Sequence, residues 1–430
     1  MDLQPFLSSI LDEVYEKNEY PALAALQGEW SETRPFDGLR VLVATPIYRN
    51  TMTEYRALLA GGAKLLVGLS GMNDGKIVDF LKDLGIPVVT PAEMLEAEAR
   101  GEFVDLVLDC AGPFAGLHPK IGFVELTRSG VQYYENAEKP VYVADSGIVK
   151  RIETSLGTGD GYFRALEKLG FGGDFEGKKL LVFGSGKVGS GIALQGVRHG
   201  CNVTVVTDLK RAMSELSAQS ENSENSEQAA QFGVLVQQGN TANSMPTGNF
   251  SAVLEQNGVN VVDCHDYPTV SALIENADFV VTATGVKDAL AASELQKSLL
   301  STKAVLANMG VEDEYGAAIP VEKVLNAKGP LNFILEEPTH LKYIDTSLAL
   351  HAALAELLVL EKSLAERANL EGGRATFDDG ENVEEPVATS VGLRFPPQEL
   401  EQRLLTIAIQ NGVIGPEICG MLSGIPTDFD

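Results

Sequence analysis

The order of short apolar runs along the chain predicts an α/β protein built on two doubly wound parallel sheets. Three observations carry this expectation. β-Branched runs alternate with segments of helical spacing, the alternation occurs twice, and the second series opens on a glycine-rich turn between a strand and a helix. The first series places strands at 40–44, 64–69, 87–90, 104–109 and 140–144, with helical spacing between them, as in Ile77, Phe80, Leu81 and Leu84. The second places strands at 179–183, 202–207, 260–262, 278–282 and 303–307. Gly170 to Gly177 separates the two and reads as a hinge. The expected division is a substrate domain over 1–170 with a flavodoxin-like sheet, a nucleotide-binding domain over 175–340, and C-terminal helices over 341–430 that return to the substrate domain.

The chain's 430 residues suffice for two or three domains with large cores. Its 33 Lys+Arg against 60 Asp+Glu give a net charge of −27, with no long basic run. Phosphate backbones and anionic lipid surfaces are bound through Lys and Arg, so neither nucleic acid nor membrane is expected as a partner, and a small-molecule substrate is. Cys110, Cys201, Cys264 and Cys419 are scattered without a C-x-x-C pair, which indicates no disulfide framework, no metal ribbon and a reducing cytoplasm. Met1 to Pro5 lacks the basic and apolar regions of a signal peptide. The most apolar helical stretch, 347–360, contains His351 and Glu356, so no membrane span is expected. Residues 214–249, rich in Ser, Asn, Glu and Gln, read as a flexible insertion in the second domain.

The sharpest motif is Gly184-Ser185-Gly186-Lys187-Val188-Gly189, which follows the apolar run Leu180 to Phe183 and opens a helix. In that setting the first glycine makes the tight turn, the second lets a pyrophosphate reach the backbone, and the third lets the helix pack on the strand. The helix N-terminus supplies N–H donors and positive potential. About twenty residues on, Asp208 ends the next strand, where an acid binds a ribose diol and repels a 2′-phosphate. A Rossmann domain holding NAD is therefore expected. Thr207 with Lys210 and Arg211 leaves NADP as the alternative.

Four blocks, in order, resemble the S-adenosylhomocysteine hydrolases. Val143-Ala144-Asp145-Ser146 followed by Lys150 is similar to that family's V-N-D-S-V-T-K. Gly184 to Gly191 is similar to G-Y-G-D-V-G-K-G, Val281 to Gly285 to V-T-T-T-G, and Asn308-Met309-Gly310 to N-I-G. Weaker similarity extends over 38–415. The resemblance implies a homo-oligomeric enzyme whose bound NAD oxidises a substrate hydroxyl, so that the neighbouring C–H acidifies and a thiol is eliminated before water adds. It implies that Lys150 and Glu153 hold and deprotonate the hydroxyl and that Asp109, or its neighbour Cys110, takes a proton from carbon. It further implies that Thr127 and Ser129 touch nicotinamide, that Thr154, Thr284, Met309, Gly310 and Asn332 bind the cofactor, and that His340 stands within one residue of a family histidine.

The departures bear on the substrate. The family's H-M-T-x-E-T is replaced by Pro46-Ile47-Tyr48-Arg49-Asn50-Thr51, the His after N-I-G is Val311, and the K-P-x-x-Y-R-Y tail has no counterpart in Ile425 to Asp430. Each positioned acid or base is worth about 10²–10⁴ in rate. The expected substrate is therefore something other than S-adenosylhomocysteine, with an authentic adenosylhomocysteinase and a catalytically silent NAD-binding regulator as the alternatives. Tyr48, Arg49, Asn50 and Thr51 follow the first strand and are expected to line the substrate crevice, with Arg49 suited to a carboxylate. Cys264-His265-Asp266 is expected to be a plain strand-end loop, because adjacent side chains on extended chain point to opposite faces.

Overall fold

The computed structural model describes residues 3–210, 258–370 and 392–423. The expected insertion over 214–249, Arg211 and the Ile425 to Asp430 end lie outside the described residues. In chain order the strands are β1 (Arg40–Val43), β2 (Lys64–Gly68), β3 (Val88–Val89), β4 (Leu106–Asp109), β5 (Gly122–Glu125), β6 (Pro140–Val143), β7 (Lys179–Phe183), β8 (Asn202–Thr207), β9 (Asn260–Asp263), β10 (Phe279–Thr282), β11 (Val305–Asn308) and β12 (Gly392–Arg394). They form two sheets in two compact units, the first comprising Met1–Lys150 and Asp345–Val413, the second Arg151–Ile344 and Ile414–Asp430.

The first unit's sheet runs β3-β2-β1-β4-β5-β6-β12 with every pair parallel. It is doubly wound as expected, but its order is the 3-2-1-4-5-6 of dinucleotide-binding sheets rather than flavodoxin's 2-1-3-4-5. Strands covered on both faces are apolar throughout, and Val41, Leu42 and Val43 of β1 are all fully buried. β5 and β12 were not among the expected strands. From Asp345 onward the long helix Leu341–Leu370 belongs to this unit. The Asp345 carboxylate accepts from the N–H groups of Ala22 and Leu23 at 2.9 and 3.0 Å, capping the helix Pro21–Thr33. Six residues on, buried His351 places Nδ1 2.9 Å from Glu54 and Nε2 3.2 Å from the Val124 carbonyl. Burial opposes charge on this ring, but the Glu54 carboxylate outweighs it and the pKa lies above the usual histidine value. The helix is long and apolar enough to cross a membrane, yet most of it is packed inside the protein, as a core helix is.

The second unit's sheet runs β9-β8-β7-β10-β11, again all parallel and again in the order 3-2-1-4-5. β7 and β8 begin and end at the expected residues, and the other strands differ by one or two. The expected hinge is corrected. Residues 170–177 lie inside this unit, and the chain passes from one unit to the other at Lys150–Arg151. The reason is the helix Thr158–Lys168, whose Tyr162, Phe163, Ala165 and Leu166 share a core with Leu180, Val182 and Ile192.

Candidate functional site

The turn from β7 into the helix Lys187–Arg198 assigns a different task to each of its glycines. Gly184 has φ +105°, and a Cβ there would stand 2.5 Å from the Ala283 carbonyl oxygen. Gly189 is pressed onto the turn itself, with a Cβ position only 2.0 Å from the Gly184 oxygen. Gly186, the residue before the helix, has extended backbone at φ −68° and ψ −172°, and no atom lies within 4 Å of its Cβ position. Two glycines thus build the turn and the third leaves it open on the side a ligand would approach. Lys187 and Val188, both half-buried, form the first helical residues beside that opening. The Ser190 hydroxyl donates to the Ser185 carbonyl at 2.8 Å and stiffens the turn.

The loop is tied to the neighbouring strand by the Ser185 and Thr207 hydroxyls, 2.8 Å apart. Thr207 ends β8, and half-buried Asp208 follows it at the sheet's carboxyl edge. Beyond the end of β9 the chain turns, so Cys264 and His265 do not point apart as expected. Cys264 Sγ lies 3.5 Å from His265 Nδ1, which lies 2.9 Å from Asp263 Oδ1. All contacts meet at one nitrogen, so the imidazole cannot relay a proton between thiol and carboxylate. Burial, then the charges of Asp208 and Asp263, raise the Cys264 pKa and keep it a thiol. Asp263, Cys264 and His265 are close enough to hold a metal ion, but three consecutive residues joined by a local turn make no site on their own.

The ends of β10 and β11 are organised by two side chains, Glu314, which the sequence does not flag, and Asn308, which opens the Asn308-Met309-Gly310 block. Buried Glu314 accepts from the Thr284 N–H and hydroxyl at 2.8 and 2.7 Å and from the Gly285 N–H at 2.8 Å. Buried Asn308 accepts from the Thr282 hydroxyl and the Gly310 N–H, and donates to the carbonyls of Glu312 and Lys328. Thr284 and Gly310 therefore reach the carboxyl edge with their donors spent on this bracing. Met309 is buried, whereas Val311 is 88% exposed. Asn332 is buried against the helix Thr158–Lys168, its side-chain N–H 3.4 Å from the Pro338 carbonyl.

Lys150 is buried, and Glu153 and Thr154 are half-buried on a π-helix, Ile152–Gly157. This widened turn packs against the helix Lys187–Arg198. A Cβ on Gly191 would stand 2.0 Å from the Ser155 carbonyl oxygen, and one on Gly159 would stand 2.5 Å from the Gly191 oxygen. The backbone bearing Glu153 and Thr154 is thus packed directly on the helix that leaves the glycine turn, and π-turns of this kind recur at functional sites. His340, half-buried, directly precedes the helix Leu341–Leu370.

In the first unit, Asp109 and Glu125 stand side by side at the ends of β4 and β5. Both are fully buried. Asp109 accepts from the Cys110 and Phe114 N–H groups at 2.9 Å each and from the Tyr134 hydroxyl at 2.6 Å. Glu125 accepts from the N–H groups of Ala111, Gly112 and Thr127 and from the Thr127 hydroxyl. Ala111 and Gly112 have φ of +65° and +75°, and the two carboxylates hold this strained turn from either side. Burial pushes Asp109 up to about 6, the Tyr134 hydrogen bond opposing and the Glu125 charge adding to it. The Thr127 hydroxyl, besides donating to Glu125, receives the Ala111 N–H and the Ser129 hydroxyl. At the end of β1, Asn50 and Thr51 are buried, Tyr48 and Arg49 half-buried.

No protein-family model matches the chain, and no curated protein matches it. Among solved structures it is similar to a dipicolinate synthase chain from Bacillus halodurans, at 13% identity and a TM-score of 0.44, over 76% of this chain and 99% of that one. A transhydrogenase from Sinorhizobium meliloti is similar at 14% identity and a TM-score of 0.41, over 75% and 96%. Apo D-lactate dehydrogenase from Escherichia coli is similar at 10% identity and a TM-score of 0.33, over 67% and 80%.

Proposed function

We propose that the protein is an NAD-dependent oxidoreductase that takes hydride from the hydroxyl-bearing carbon of its substrate. The observation that carries this reading is the glycine turn, closed at Gly184 and Gly189 and open at Gly186, on a parallel sheet of order 3-2-1-4-5. The backbone N–H groups from Gly186 through Gly189 hold the pyrophosphate, with Lys187 and Val188 opening the helix toward it. Asp208 accepts from the adenosine ribose diol and disfavours a 2′-phosphate, which selects NAD over NADP. Bound there, the nicotinamide supplies an acceptor for hydride. Lys150 steadies the developing alkoxide and Glu153 takes the hydroxyl proton. His340 is the imidazole left for later proton transfers. Without the family's histidines at Pro46 to Thr51 and at Val311, the substrate is one other than S-adenosylhomocysteine.

A second reading, a dinucleotide-binding regulator without turnover, is favoured by Asp109, whose oxygens are all engaged by the loop it braces. The experiment that separates the two uses the NAD-loaded protein and a panel of hydroxy compounds, followed at the reduced-nicotinamide band. Reduction by one of them, abolished in Lys150→Met while NAD affinity is kept, is the expected result. A panel with no reduction at all favours the regulator.

A further inference from the structure

In so acidic a chain an arginine without an acid is conspicuous. Arg34, Arg56, Arg100, Arg164, Arg198 and Arg394 each pair with an Asp or Glu. Arg128 and Arg367 are exposed to water. Arg49 is half-buried, its Nε is shielded from solvent, and among the described residues its side chain has no hydrogen-bond or ion-pair partner. A guanidinium that no protein group engages keeps its fork available to an anion.

Its position favours the same conclusion. β1 lies between β2 and β4, where the sheet order reverses, and in open α/β sheets ligands bind at the carboxyl end of the strands at that point. The turn bearing Arg49 is held rigidly on both sides. Ile47 N–H donates to Asn73 Oδ1 at 3.2 Å, Asp74 N–H to the Ile47 carbonyl at 2.8 Å, and Tyr48 N–H to the Thr51 hydroxyl at 3.1 Å. The nearby Asp74 caps its own helix through the Lys76 N–H.

We infer that Arg49 seats an anionic ligand at the carboxyl end of the first unit's sheet, a carboxylate bound through two parallel hydrogen bonds. A carboxylate fits better than a phosphate. The N–H groups of Met52, Thr53 and Glu54, which would cradle a phosphate, already donate to the carbonyls of Arg49, Asn50 and Thr51. One planar guanidinium fork remains, and it matches a planar, singly charged acceptor.

The test is calorimetric titration of the full chain, with and without NAD, using malonate, inorganic phosphate and neutral malonamide as probes. Malonate should bind, phosphate more weakly, and malonamide not at all. Arg49→Gln should weaken malonate about 10- to 100-fold, with Arg49→Lys between the two, since Lys keeps the charge and loses the fork. NAD affinity should be unchanged, and the melting temperature of Arg49→Gln should match that of the native protein, because no side-chain hydrogen bond or ion pair of Arg49 is lost. Absence of malonate binding, equal binding by phosphate, or malonate affinity untouched by Arg49→Gln overturns the inference. So does a lowered melting temperature in both Arg49→Gln and Arg49→Met, which would make the residue structural. If malonate binds through Arg49 while NAD does not bind, the anion site stands and the oxidoreductase reading fails.

Discussion

At the carboxyl end of β7 the turn into the next helix is glycine, with no atom within 4 Å of the Cβ position at Gly186. At the carboxyl end of β1, in a sheet of the same strand order, the corresponding turn is Thr45 to Thr51, filled by side chains. The contrast continues along both edges. In the first unit, Asp109 and Glu125 consume the backbone N–H groups of the turn after β4, including those of Ala111 and Gly112 that would otherwise form an anion-binding concavity. In the second, Glu314 does the same after β10 but leaves the turn after β7 untouched. Strand order alone therefore does not make a dinucleotide site. The turn after the first strand differs between the two: one is open at Gly186, and the other is filled by side chains and carries Arg49.

The comparison breaks first at Gly189. Its Cβ position overlaps the Gly184 carbonyl, so Gly189→Val should force the turn apart and cost about 4 kcal/mol in a urea titration. A loss below about 1 kcal/mol would mean that the turn is not close-packed. A smaller effect sharpens the account of the other edge. Asp109 is raised to about 6 from an ordinary 3.8, so the native state holds its proton more tightly than the unfolded chain does. Its contribution is full below about pH 4 and fades as pH rises to about 6, by at most about 3 kcal/mol. Urea midpoints measured across pH 4–7 should therefore fall more steeply for the native protein than for Asp109→Asn within that window, and run parallel above it.

The glycine turn and the strands β7 and β8 were legible to the residue because their signal is local: an apolar run, three glycines at fixed spacing, and a second apolar run closed by Thr207 and Asp208. Glu125 and Glu314 were not legible. Their partners lie far along the chain, 14 residues away for Ala111 and 30 for Thr284, and a single Glu after an apolar run carries no pattern. β5 was missed because Gly122 to Glu125 is short and bounded by Gly and Glu, and only its burial between β4 and β6 makes it a strand. The hinge was misplaced for a related reason, since the apolar face of Thr158–Lys168 does not reveal which sheet it will cover. The convergence of Cys264 on His265 escaped because strand alternation was carried past Asp263, the last residue of β9.

The central claim, that the second unit's glycine turn holds a dinucleotide, is tested most directly by titrating NAD into the native protein and into Gly186→Val, with calorimetry for affinity and urea unfolding for integrity. The backbone at Gly186 suits a β-branched residue and the Cβ meets nothing, so the variant should unfold at the native midpoint. Its valine would occupy the space of the pyrophosphate, and NAD affinity should fall by about 100-fold or more. A folded Gly186→Val protein that binds NAD as tightly as the native one, or a native protein that binds no dinucleotide, would contradict the claim.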